Sequence, residues 1–149
     1  MELTAALRPL PYVHPMLVHF PVVFLLAAAA LDALALVSGR KRLAATARWS
    51  LWAGTLAAAF AVWSGHESAE ALESQVGSDA RALIMLHHDW AVALLVGAVV
   101  LSLWRLVFGE RRGWRTSLVL AIILAALVAA VSHLGGQLVF LHGVAVRPS

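Results

Sequence analysis

Four apolar stretches, roughly residues 16–37, 47–64, 83–104 and 117–141, dominate this chain and decide the solvent in which it can fold. A helix needs about 17–25 apolar residues to cross the hydrocarbon of a bilayer. The second stretch is the shortest and carries Trp52, Ser64 and several alanines. Leaving it outside lipid would strand a nearly uncharged segment in water, so the sequence predicts four spans. Helices satisfy their backbone polar groups internally, as lipid demands. Composition agrees. The chain is 62% hydrophobic and 13% charged, against about 45–50% and about 25% in soluble domains. The first stretch follows little positive charge and is too long for a signal-peptide core, so it is expected to remain.

Charge sets the orientation. The link between the first two spans holds Arg40, Lys41, Arg42 and Arg48 without an acid, and the link between the last two holds Arg105, Glu110, Arg111, Arg112 and Arg115. The middle link carries Glu67, Glu70, Glu73 and Asp79 against Arg81. The positive-inside rule puts the two basic links in the cytoplasm. Both termini and the acidic link then lie on the outer, periplasmic side. Topology and contact with anionic lipid heads account for the basic residues, so nothing calls for nucleic acid. Gly39 is placed to stop the first helix, and Ser78 with Asp79 to start the third. Tryptophans near both interfaces act as anchors, and runs such as Ala27 to Ala30 allow close helix contact. The expected fold is all-α: a single domain over residues 1–149, formed as an antiparallel four-helix transmembrane bundle.

Threading the seven histidines through that bundle puts all of them in its outer half. His14 and His19 begin the first span, His66 ends the second, His87 and His88 begin the third, and His133 and His142 end the fourth. His19, His87 and His133 are expected in one layer just inside the interface, with His66 near it and His14 and His142 on the rim. Pro15 and Pro21 bracket the start of the first helix, where missing backbone donors cost little. Ionisable groups at membrane depth tend to face a bundle interior or a functional cavity.

Two chemistries compete for these imidazoles. One is b-type haem held by axial histidines, His19 with His87 or His87 with His133, with Arg8, Arg81 and Arg147 available to its propionates. The other is a bare ion (zinc, copper or non-haem iron) on His19, His87, His133 and His66 with Glu67 and Glu70. His66 and Glu70 share a helix face, and Asp89 is placed to orient an imidazole. His66-Glu67-Ser68-Ala69-Glu70 is not the zinc-protease motif His-Glu-x-x-His, and no residue set demands catalysis. The absence of cysteine removes disulfides, thiolate metal sites and cysteine-attached haem. Asp32, in the cytoplasmic half, reads as an internal hydrogen-bonding group. A structural or assembly subunit, its imidazoles bonded to one another, is the third reading.

His14-Pro15-Met16-Leu17-Val18-His19-Phe20-Pro21 and the segment from Gly135 to Val146, GGQLVFLHGVAV, resemble the opening and closing signatures of a bacterial membrane family, that of domain of unknown function 2231. Ser64-Gly65 and the surroundings of His87 resemble its middle signatures. The resemblance covers nearly the whole chain and singles out His14, His19, His87, His133 and His142. Domains of this family are sometimes joined to Rieske or cytochrome-type modules. The resemblance therefore implies a protein of the bacterial inner membrane engaged in electron transfer, and haem rather than a bare ion. Its partner would be a separate redox protein or membrane redox complex, and a homo-oligomer is compatible with the fold.

Overall fold

A computed structural model describes residues 10–108 and 114–144. The chain is all-α over this range. Helix α1 runs Leu10–Leu17, α2 His19–Ser38, α3 Lys41–Leu72, α4 Ser78–Phe108 and α5 Trp114–Phe140, with a short 3-10 turn at Glu73–Gln75.

The first expected helix, 16–37, lies within the continuous segment Val13–Ser38, which a single turn residue, Val18, divides into α1 and α2. Pro15 lies inside α1, and Pro21 lies in the first turn of α2. Pro21 cannot donate to the carbonyl of Leu17 and its ring crowds that carbonyl, so the helix breaks at Val18. Val18 keeps helical dihedrals, φ −62° and ψ −21°. Hydrogen bonds from its amide to His14 (3.1 Å) and from the Val22 amide to its carbonyl (3.4 Å) carry the chain across the break. Gly39 ends α2 at φ 65°, the left-handed conformation that glycine adopts without a Cβ penalty. Only Gly39 and Arg40 separate α2 from α3, so α3 must turn back along its predecessor. Asp79 occupies the first turn of α4, as the sequence predicts.

Three helical segments, Val13–Ser38, Ser78–Phe108 and Thr116–Phe140, are long and apolar enough to cross a membrane. The expected span at 47–64 falls within α3, which does not reach that standard. Its 32 residues are ample in length. Its alanines, Gly54, Ser50, Thr55 and tryptophans dilute the apolar run, and its ends carry Arg42 and Arg48 on one side and His66, Glu67 and Glu70 on the other. Those polar residues remain helical, which is why α3 outruns the apolar stretch at both ends.

What α3 lacks in hydropathy it supplies in packing. Ala47, Leu51, Gly54, Ala58, Ala61, Ser64 and Ser68 are its buried residues, a stripe recurring every three or four positions. Such small side chains let neighbouring backbones approach. A Cβ on Gly54 would stand 2.8 Å from Leu25 Cδ2 and 3.2 Å from the Leu25 amide nitrogen. Each of α2, α3, α4 and α5 packs on the next, α5 closes back on α2, and α1 lies against α3. Leu25, Leu51, Leu94, Leu101, Leu124 and Val128 fill the middle. Beside them Thr55 Oγ1 contacts Ser102 Oγ at 3.1 Å. Phe20, Val23, Phe60, Trp63, Val96, Val100, Ile122 and Ile123 are exposed on the outside, a surface suited to lipid rather than water.

The Asp32 expectation acquires a partner. The sequence places Arg105 in a basic link, but α4 continues to Phe108 and buries it to 7% exposure. Its guanidinium pairs with the Asp32 carboxylate, and its Nε donates to Ser117 Oγ at 2.8 Å. The cluster ties α2, α4 and α5 together at the basic end. Glu110, Arg111, Arg112, Arg8 and Arg147 lie outside the described residues.

Candidate functional site

The opposite end of the bundle holds the histidines, and helix geometry sorts them. Successive residues of an α-helix point about 100° apart. His87 and His88 therefore face different neighbours: His87 turns toward α1 and α5, His88 toward α3.

His14 and His87 are both half-buried, with ring centres 6.4 Å apart and planes at 82°. Each sits over a glycine. A Cβ on Gly65 would lie 2.9 Å from His14 Cε1, and one on Gly135 would lie 3.2 Å from His87 Cε1. His14 Nδ1 is 3.0 Å from Ser64 Oγ. The Ser64 hydroxyl donates to the carbonyl of Ala61, also at 3.0 Å. With its single proton directed there, Ser64 accepts from His14. The proton of a neutral His14 then sits on Nδ1, and the lone pair of Nε2 is left for another partner. Metal-binding imidazoles are oriented in just this way, with the second nitrogen held by the protein. His87 Nδ1 is buried without a well-formed hydrogen bond, with the Val131 backbone alongside as a weak partner.

This pairing differs from the expected layer of His19, His87 and His133. His19 is exposed, and His14, expected on the rim, takes the inner place. Five residues of helix rotate a side chain by about 140°, so with His14 turned to the bundle His19 is turned away. His133 is also exposed, its Nε2 3.0 Å from Gln137 Nε2. Gly135 is the residue of α5 that meets His87, and a position two residues earlier points about 200° round the helix. His142 is exposed beyond the end of α5.

A second pair lies at the same end. His66 Nε2 is 3.2 Å from Glu70 Oε1, on the shared helix face that the spacing predicts. The His66 ring centre is 5.9 Å from that of His88 on α4. His66, Glu70, Arg81, His88 and Asp89 line one open groove, and Glu67 is not among its residues. Among the described residues, no three histidine or carboxylate side chains already converge on a point that could hold a metal ion. The expected bare-metal set His19, His87, His133, His66, Glu67 and Glu70 is therefore divided among separate surfaces.

Sequence reasoning left three participants without a role: Ser64, the glycine seats and His88. The signals were the place of Ser64 on the small-residue stripe of α3 and the Ser64-Gly65 pair in the family resemblance.

The sequence matches, over residues 10–148, the family described as "Predicted membrane protein (DUF2231)". No curated protein and no solved structure matches it.

Proposed function

The chain belongs to the DUF2231 family of predicted membrane proteins, and on that premise we propose that it is a membrane electron-transfer protein, or a redox-complex subunit, that binds b-type haem through His14 and His87. The observation that carries this reading is the inner imidazole pair. His14 has its Nδ1 held by Ser64, which leaves Nε2 as a ligating atom, and His87 faces it from another helix. Two imidazoles on opposite sides of one metal, at about 2.0–2.1 Å per nitrogen, have ring centres ~6 Å apart. The 6.4 Å observed suits such a pair. The chain contains no cysteine, which removes a thiolate as an axial donor.

Bound haem would supply one-electron exchange at its iron. The protein's own contribution is orientation and dielectric. Ser64 holds one imidazole, Gly65 and Gly135 admit both rings against their helices, and the apolar core beneath keeps out water. The electron donor or acceptor is a separate redox protein or membrane complex.

The same proposal places α3 as a fourth span. α3 packs along two segments of spanning length, α2 and α4, and its short link to α2 returns it across the same thickness. The result is an antiparallel four-span bundle in the bacterial cytoplasmic membrane. Arg40, Lys41 and Arg42 are exposed at one end, which the positive-inside rule assigns to the cytoplasm. Both termini then face the periplasm.

Gently purified protein is expected to show a reducible Soret band with split visible bands. His14→Ala and His87→Ala should each abolish that spectrum, and His19→Ala should preserve it. A colourless preparation that also takes up no stoichiometric haem on reconstitution sinks the proposal. It would favour instead the assembly-subunit reading, with the His14–Ser64 bond as a helix tie.

A further inference from the structure

Three features lie outside the proposed haem pair: the buried Asp32–Arg105 cluster, the basic link at the cytoplasmic end, and the groove between α3 and α4. The first is satisfied internally. The second is explained by topology. The groove contains donors that nothing described so far uses.

We propose that this groove binds a divalent transition-metal ion, zinc by the chemistry of its donors, on His66, His88 and Glu70. The site shares no residue with the haem pair and does not rest on that reading. His66 and Glu70 stand one helical turn apart on α3, and His88 reaches them from α4. Their side chains are accessible: those of His66 and Glu70 are 60% and 67% exposed.

The distances suit a shared ion. Two ligands at a tetrahedral angle around zinc, each about 2.0–2.1 Å from it, lie about 3.3 Å from each other. His66 Nε2 and Glu70 Oε1 are 3.2 Å apart, the spacing at which an ion can replace the proton between them, the imidazole keeping its remaining proton on Nδ1. Two imidazoles on one tetrahedral zinc have ring centres about 5 Å apart. The 5.9 Å between His66 and His88 closes to that value by small side-chain rotations at an open surface. Arg81, Ile84, Met85 and Asp89 line the remaining sides of the groove, an open volume of about 280 Å³.

Donor type sets the selectivity. Two imidazoles and one carboxylate suit zinc, copper(II) or non-haem iron(II), whereas magnesium and calcium prefer an all-oxygen shell. No thiolate is present to favour copper(I).

The test uses the full chain, metal-stripped in detergent and titrated with zinc chloride by calorimetry, with elemental analysis after equilibrium dialysis. One zinc per chain is expected, undisturbed by excess magnesium. His66→Ala and His88→Ala should each weaken binding by at least ~100-fold, more than the loss of a residue that merely orients a ligand, and His142→Ala should leave it unchanged. Cobalt(II) should give tetrahedral visible bands in the parent protein and none in His88→Ala. Gel filtration and circular dichroism check that each variant is folded, and His66→Gln and His88→Gln replace any that is not. Unaltered zinc affinity in folded variants at both His66 and His88, or equal loss in His142→Ala, overturns the site. The haem spectrum of the His66 and His88 variants should match that of the parent, so failure of either site is read separately.

Discussion

The two ends of the bundle bury polar groups on opposite principles. At the basic end Arg105 is nearly inaccessible, and a carboxylate and a hydroxyl from two other helices meet it. At the histidine end His14 and His87 are only half-buried, and His87 Nδ1 has no well-formed hydrogen bond. A buried charge that is fully matched holds helices in register. An imidazole with one nitrogen anchored and the other available is arranged for a ligand. The difference separates a structural pin from the proposed binding site without appeal to where either lies in the sequence.

Breaking the pin should have the largest effect. Asp32→Ala leaves the Arg105 charge uncompensated and should destabilise the protein by about 3–5 kcal/mol, whereas exchanging both partners for well-packed apolar residues should cost little. Thermal unfolding in detergent checks both. A comparable loss in the double variant would mean that the pair does more than match charge. Gly65→Ala should come next, at about 1–3 kcal/mol, because its new Cβ forces the His14 ring off its seat. The same variant should shift or abolish any haem spectrum. An unchanged spectrum would detach His14 from the site. Ser64→Ala should cost about 0.5–1.5 kcal/mol through its lost hydrogen bonds, with a change in reduction potential larger than that stability change suggests. His19→Ala is expected to stay within about 0.5 kcal/mol, as exposed substitutions do. A large effect there would restore the layer expected from sequence.

The contrast also explains what could be read from the chain beforehand. Long apolar runs report helices reliably because lipid penalises every other backbone state, and Gly39 stops its helix because of a local steric preference. The facing of individual histidines is another matter. It depends on rotation about the helix axis, and the five residues from His14 to His19 turn the side chain by about 140°. Matching depth therefore grouped His19 with His87, while rotation grouped His14 with it. Asp32 and Arg105 belong to different helices, and no periodicity announces such a partnership. The reach of α3 beyond residues 47–64 was hidden for a related reason. Its ends are polar, and helices there are held by neighbours and hydrogen bonds rather than by partition into lipid.

The adjacent pair His87-His88 has one more consequence. Both imidazoles ride on a single rigid rod, and each addresses a different partner across a different face. Turning that rod by even a few degrees moves both contacts at once. The two proposed sites therefore share one mechanical tolerance, and a substitution that retunes either must leave the rotational setting of α4 almost untouched.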